Sequence, residues 1–285
     1  MTEWTLGPAL LFCPADRPDR YGKALAAADA VILDLEDAVT PARRELARQA
    51  LVDHPLDPAR TIVRVNPFGT PDHERDMRCL ARTGYRMIML AKAEDVRQVE
   101  KCAPYQVLAL CETARGVVAA GEVARAHNLL GMMWGAEDLM ASLGGGTSRL
   151  PDRRYREVVR HARSTVLLQA AAAGIPPVDT VFLDVADTAG LAEEADEAAA
   201  TGFVAKTCIH PSQVPVVRQA FRPSDSEIEW ANRVVSASSG DAVFLLDGRM
   251  IDAPLIAQAR QILRRAAAAG PAPSGRQETE TSAPQ

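Results

Sequence analysis

The chain has 285 residues, 47% of them apolar and 24% charged, so it holds enough hydrophobic material for one large core and has the length of a single α/β barrel. The net charge of −5, with Lys and Arg dispersed among acids, excludes the basic face that a nucleic-acid partner requires. No apolar run approaches the ~20 residues that span a bilayer, and no charged segment leads into an apolar one at the N-terminus, so the expectation is a cytoplasmic protein with no membrane partner.

In chain order, short apolar runs at Ala9–Cys13, Ala30–Leu35, Thr61–Val65, Met87–Ala91, Val107–Cys111, Gly131–Trp134, Thr180–Val185 and Phe203–Thr207 read as strands. Several are continuously apolar, as parallel strands covered on both faces require. Between them lie helical patterns at Pro41–Val52, Glu94–Lys101, Val117–Ala126, Asp152–Ala173 and Leu191–Ala200. Strand and helix alternate, which predicts βαβ units, and eight repeats predict closure into a (β/α)₈ TIM barrel, with a doubly wound open sheet as the alternative. After the eighth strand come a helix near Ser224–Ser236, an apolar run Ala242–Leu246, a tight turn at Asp247-Gly248 and a last helix Pro254–Ala269. The expected organisation is therefore a barrel over residues 1–222, a C-terminal helical extension over 223–269 that packs on the barrel or on a neighbouring subunit, and a disordered tail over 270–285. That tail has no apolar residue larger than Ala. The five cysteines form no CxxC pair, and four lie in or beside apolar runs, which reads as buried, reduced thiols.

Barrel enzymes work at the carboxyl ends of their strands, and here those ends carry acids and bases. Asp16, Arg17, Arg20 and Lys23 follow the first strand, and Asp34, Glu36 and Asp37 the second. Arg64 and Asn66 belong to the third, Lys92 to the fourth, Glu112 to the fifth, and Glu137 and Asp138 to the sixth. Asp184 closes the seventh, and Lys206, Thr207 and His210 the eighth. Glu112 and Asp138 are two carboxylates from adjacent strands with oxygen-only surroundings, a set that suits Mg²⁺, with Mn²⁺ overlapping in preference. The competing reading makes them rim acids that pair with Arg or cap a helix. Arg64, flanked by Val63 and Val65, needs a carboxylate if buried, and either a salt bridge to Glu36 or Asp37 or a substrate contact satisfies it. Arg17, Arg20 and Lys23 read either as an electropositive rim for a phosphate-bearing ligand or as a solvated face. Gly144–Ser148 is a mobile loop without the Lys of a phosphate-binding P-loop, and His210-Pro211 shapes a turn or takes part in chemistry.

Six motifs in chain order carry a resemblance: Leu11-Phe12-Cys13-Pro14-Ala15-Asp16-Arg17, Leu33-Asp34-Leu35-Glu36-Asp37-Ala38-Val39, Arg64-Val65-Asn66, Glu112-Thr113-Ala114-Arg115-Gly116, Gly135-Ala136-Glu137-Asp138-Leu139 and Ile209-His210-Pro211-Ser212-Gln213. Together they resemble the citrate lyase β-subunit-like branch of the HpcH/HpaI aldolase family, over roughly residues 8–265. The resemblance implies a Mg²⁺-dependent carbon–carbon lyase that cleaves a β-hydroxyacyl-CoA thioester of the citryl-CoA, malyl-CoA or citramalyl-CoA type to acetyl-CoA and an oxo acid. It implies Glu112 and Asp138 as metal ligands, Arg64 as the active-site arginine, Glu36 and Asp37 as the acidic pair, and Arg17 as a contact to the CoA phosphates. It also implies that Asp252 reaches a neighbouring subunit's site and that the assembly is a homotrimer or a multiple of three. The alternatives are condensation followed by thioester hydrolysis, an aldolase acting on free oxo acids, and a catalytically silent subunit of a larger lyase. The segment from Gly144 to Asp152 is where substrate-dependent variation is expected.

Overall fold

Stretches rich in β-branched and aliphatic residues pair edge to edge in the computed structural model, which describes residues 4–238 and 243–269. Among the described residues, β1 (Ala9–Pro14), β2 (Ala30–Asp34), β3 (Thr61–Val65), β4 (Met87–Leu90), β5 (Gln106–Cys111), β6 (Leu129–Trp134), β7 (Pro177–Asp179) and β8 (Ala205–Cys208) form a closed parallel barrel in sequence order. The ring is completed by β1 against β8, through Ala9↔Lys206 and Leu10↔Thr207. The helices are α1 (Pro18–Ala27), α2 (Arg44–Asp53), α3 (Pro71–Leu80), α4 (Val96–Glu100), α5 (Ala114–Val118), α6 (Ala120–Val123), α7 (Ala136–Ser142), α8 (Glu157–Ala173), α9 (Thr188–Thr201) and α10 (Gln213–Phe221). None of the described helices is long and apolar enough to cross a membrane.

The two faces of each strand feed two separate cores. Leu10, Ile32, Ile62, Met89, Leu108, Leu110 and Met133 fill the lumen. Their neighbours Leu11, Leu33, Val63, Ile88 and Ala109 belong to the layer between strands and helices. This period of two also positions the polar residues. Two residues beyond Ile32, Ile62 and Leu110 on the lumen face come Asp34, Arg64 and Glu112, so their side chains emerge at the carboxyl mouth.

Three expected elements lie elsewhere. The seventh strand is Pro177–Asp179, not Thr180–Val185. Val178 pairs with Met133 and Ala205, whereas Leu183 and Val185 are exposed and Asp184 turns the chain by accepting from the Ala186 N–H at 3.1 Å. Pro177 escapes the usual exclusion of proline because it is the first residue of its strand. The long helix begins at Glu157 rather than Asp152, because Asp152 closes a turn onto the Arg154 N–H at 3.1 Å and Arg149 forms a β-bridge with Tyr155. The Val117–Ala126 pattern divides into α5 and α6, and α5 starts early because Thr113 Oγ1 caps the Gly116 N–H at 3.0 Å.

The chain contacts divide at Phe221, and the second unit begins at Arg222. It comprises α11 (Asp225–Ala237), an antiparallel hairpin of β9 (Phe244–Leu246) and β10 (Arg249–Ile251), and α12 (Ala253–Ala269). Ser224 and Glu227 form a reciprocal capping box at the start of α11. Asp247 and Gly248 both have positive φ, at 51° and 74°, as a tight two-residue hairpin turn demands. Ala231, Val234, Ile251, Ile256, Ala259 and Ile262 make this unit's own apolar cluster. The predicted tail 270–285 lies outside the described residues.

Candidate active site

Strand register builds the first part of the site. Asp34 and Arg64 are direct ladder partners on β2 and β3. The guanidinium meets the carboxylate as a fork, with Arg64 Nε donating to Asp34 Oδ1 at 2.7 Å and Nη2 to Oδ2 at 2.5 Å. The sequence offers Glu36 or Asp37 as the salt-bridge partner, with a substrate contact as the alternative. Those carboxylates lie beside Nη1, at 3.0 Å and 3.7 Å, but the two-pronged bond goes to Asp34 because pairing across the strands puts it alongside. Phe12 presents its ring 5.0 Å from the Arg64 guanidinium carbon. Burial pulls the Arg64 pKa down, but the Asp34 charge and hydrogen bonds outweigh it, so the side chain stays a fixed cation. Asp34 also accepts from the Glu36 and Ala38 N–H groups at 2.9 and 3.0 Å, which shapes the turn carrying the next two acids.

The second part is the pair Glu112 and Asp138 with Lys92 between them. Lys92 has φ 52°, a left-handed conformation uncommon outside glycine. This turns its N–H toward Glu112 Oε1 at 3.1 Å while its ammonium reaches Asp138 Oδ1 at 3.2 Å, Glu112 Oε1 at 4.0 Å and Glu36 Oε1 at 2.5 Å. Gly135 makes this arrangement possible, since a Cβ there would stand 2.8 Å from Glu112 Cβ. Glu112 is buried, and burial together with the adjacent Asp138 charge raises its pKa to about 8. Burial also raises that of Glu36, although Arg64 and Lys92 oppose the shift. Asp138 lies in the first turn of α7, and no side chain caps that helix, so the capping alternative does not apply.

These residues fit a hard divalent cation. The donors are carboxylate oxygens, and a positive group already bridges them. Among the described residues, no group of three or more His, Cys, Asp and Glu forms a cage for a metal. Two carboxylates, with the remaining positions left to water and substrate oxygens, match the way Mg²⁺ is commonly held.

A cavity of about 340 Å³ opens beside these groups and is bordered by Phe12, Asp34, Asp37, Arg64, Glu112, Glu137 and Asp138. Arg149, Tyr155 and Thr180 form another part of its wall. Behind them is a buried charge network that sequence reasoning did not assemble. Lys206 is fully buried and its Nζ donates to Asp179 Oδ2 at 2.8 Å, the Thr180 carbonyl at 2.9 Å and Glu194 Oε1 at 3.0 Å. Asp179 also accepts from Trp134 Nε1 at 2.8 Å and Arg163 Nε at 3.2 Å.

Arg17, Arg20 and Lys23 lie outside the residues bordering the cavity. Arg17 forms a surface pair with Asp19, at 3.0 Å for each of two bonds, while Arg20 and Lys23 are exposed on α1. His210 bonds through Nδ1 to Ser212 Oγ at 2.7 Å, within a turn that Gln213 closes by accepting from the Ile209 N–H at 2.8 Å, so it shapes the loop. Asp252 belongs to the second unit, before α12, where its carboxylate accepts from the Leu255 N–H at 3.4 Å. Asp34 and Lys92, which the sequence places at the mouth without a role, gain one here: Asp34 holds Arg64 across the strands, and Lys92 meets Glu36 and Asp138.

The family model described as HpcH/HpaI aldolase/citrate lyase matches residues 9–211. A citrate lyase subunit beta-like protein of Mycobacterium tuberculosis is 56% identical over 261 residues, covering 91% of this chain and 96% of that protein. A (3S)-malyl-CoA thioesterase of Cereibacter sphaeroides is 35% identical over 275 residues, covering 91% and 94% respectively. Among solved structures, protein CitE from Mycobacterium tuberculosis in complex with magnesium, acetoacetate and coenzyme A is similar at a TM-score of 0.89 and 55% identity, over 93% of this chain and all of that one.

Proposed function

The chain belongs to the HpcH/HpaI aldolase/citrate lyase family, and on that premise we propose that it is a Mg²⁺-dependent lyase that cleaves a β-hydroxyacyl-CoA thioester of citramalyl-CoA, malyl-CoA or citryl-CoA type to acetyl-CoA and an oxo acid. The observation that carries this reading is the Glu112 and Asp138 pair, bridged by a cationic side chain at a cavity that Arg64 also borders. The magnesium and coenzyme A bound by the 55% identical relative support it.

Glu112 and Asp138 would hold the cation, whose contribution when bound is Lewis-acid polarisation of the substrate hydroxyl and carboxylate. The other tasks fall to the chain's own groups. Asp37 borders the cavity and is the better placed of the acidic pair to take the hydroxyl proton. Glu36 is engaged by Lys92 and Arg64 and orients both. Bond cleavage leaves negative charge on the thioester oxygen of the departing acetyl-CoA enolate. Arg64, fixed by Asp34, supplies the counter-charge there, and such a donor typically contributes ~3–4 kcal/mol to the transition state. Asp252 from a neighbouring copy then protonates the enolate carbon. Arg17, with Arg20 and Lys23, meets the CoA phosphates. A homotrimer or a multiple of three and a cytoplasmic location complete the reading.

The test is a coupled assay with Mg²⁺ that offers (S)-citramalyl-CoA, malyl-CoA and citryl-CoA separately and follows release of pyruvate, glyoxylate and oxaloacetate. Metal-dependent release from one thioester, abolished in Glu112→Ala, is the expected result. Release of free CoA without an oxo acid would instead indicate thioester hydrolysis, the activity named for the Cereibacter relative. No turnover of any thioester, with Mg²⁺ still bound, would refute the lyase reading.

A further inference from the structure

The cavity wall formed by Arg149 and Tyr155 has no part in the mechanism above. Arg149 is nevertheless held firmly. Its guanidinium carbon stands 3.8 Å from the Tyr155 ring centroid and 5.2 Å from that of Phe182. Nη2 donates to Glu194 Oε2 at 2.8 Å and Nη1 to the Arg153 carbonyl at 2.8 Å. A guanidinium carries five N–H donors, so these two bonds leave capacity for a planar anion.

The charges around it favour such an anion. Glu194 is shared, with Oε1 accepting from Lys206 and Oε2 from Arg149. Asp179 is shared likewise, between Lys206 and Arg163. Arg149 is thus the terminal cation of the chain Arg163–Asp179–Lys206–Glu194–Arg149, in which three cations share two buried or nearly buried carboxylates. The outer cation, Arg163, has a further partner in Glu197 at 2.7 Å. At the other end Arg149 borders the cavity instead. Its aromatic supports and ion pair hold the side chain in place before any ligand arrives, which lowers the ordering cost of binding.

We infer that Arg149 is a specificity-determining residue that receives a second carboxylate on the oxo-acid half of the substrate. This inference rests on the lyase reading and deepens it. It selects the citryl type, whose oxo-acid product carries a carboxylate beyond the one adjacent to the carbonyl, over the citramalyl type, whose product ends in a methyl group there. Glu194 and Tyr155 are positioning residues for Arg149, and the Lys206 network fixes Glu194.

Titration calorimetry with Mg²⁺ present, using oxaloacetate and pyruvate as probes, tests this directly. The wild-type protein is expected to bind oxaloacetate at least about tenfold more tightly than pyruvate, the discrimination one charge-assisted pair supplies. In Arg149→Met the ratio falls close to one. In Arg149→Lys, which keeps the charge but loses the planar fork, an intermediate ratio remains, and this variant decides the matter if the first does not fold. A ratio that stays at the wild-type value in either variant, or a wild-type protein without preference, overturns the assignment of Arg149 while leaving the lyase reading intact. Failure of both oxo acids to bind the wild-type protein overturns the lyase reading, and the inference with it.

Discussion

Replacing Lys206 by Met isolates the buried charge network of the barrel mouth. The ammonium is fully buried and has two carboxylate partners. Breaking a buried pair from one side typically costs 3–5 kcal/mol, because the remaining charge loses its compensation. Here both carboxylates keep other donors, Asp179 from Arg163 and Trp134 and Glu194 from Arg149 and Tyr155, so the lower end, about 3 kcal/mol, is expected. At roughly 2–4 °C per kcal/mol for a unit of this size, the melting temperature should fall by about 6–12 °C. Thermal and urea unfolding measure this, with exposed Lys23→Met as a control expected to stay within about 0.5 kcal/mol.

The pH dependence of that deficit checks its origin. Burial lowers the Lys206 pKa, but Asp179 and Glu194 outweigh it and the net shift is upward. The lysine's contribution is therefore fully present below its unfolded value near ~10.4 and is lost as the pH rises through the higher folded value. Burial raises the Asp179 pKa, but Lys206 and Arg163 outweigh it and the net shift is downward, so its contribution is lost only as the pH falls below ~3.9. The difference between wild type and Lys206→Met should be flat from about pH 5 to 9. A deficit under about 1 kcal/mol, or one that shrinks within that window, would refute a charged, mutually compensated network.

Arg64→Lys keeps the charge but loses the fork onto Asp34, and kcat for thioester cleavage should drop by roughly 10²-fold while calorimetry still detects Mg²⁺ binding. Loss of both would make Arg64 a structural residue. Gly135→Ala drives a Cβ toward Glu112, so the Mg²⁺ Kd should rise by about 10–100-fold, and an unchanged Kd would contradict the close approach described for this pair. Burial alone would raise the Asp72 pKa, but hydrogen bonds from Arg48, Arg44 and Arg75 lower it to about 2. That stabilisation is present above the unfolded value near ~3.9 and is lost as the pH falls toward 2, so the melting temperatures of wild type and Asp72→Asn should differ at pH 6 and converge in acid.

The barrel was legible because each parallel strand had to be apolar on both faces, and the runs at β1 to β6 announce that directly. The seventh was misplaced because Val181, Phe182, Leu183 and Val185 offer more apolar character than Pro177-Val178-Asp179, whose strand is completed by a buried acid with partners far along the chain. Glu112, Asp138 and the acids after β2 could be selected by their position at or past a strand end, and Arg64 as a cation inside an apolar strand. Their pairings could not, since Asp34 rather than Glu36 takes the Arg64 fork through inter-strand register. Lys92 was visible as a residue at a strand end, but only its left-handed backbone brings both its amide and its ammonium to bear on the carboxylates. Arg149 and Lys206 meet through Glu194 on an outer helix, a contact across 45 and 12 residues that no local pattern reports.

All five cysteines are free and buried, at β1, α3, the turn after α4, β5 and β8. Burial raises their pKa values to about 11 for Cys13, Cys79 and Cys102 and to about 12 for Cys111 and Cys208. Thiolate is the reactive form, so in the folded state each sulfur is protected twice, by lack of access and by protonation. The chain thus carries native reporters of its own opening. Pulsed alkylation with mass spectrometry would time the loss of protection at Cys13, Cys111 and Cys208 in the barrel wall separately from Cys79 and Cys102 in the outer layer. Those labelling rates would distinguish peeling of a helix from rupture of the strand ring without any engineered probe.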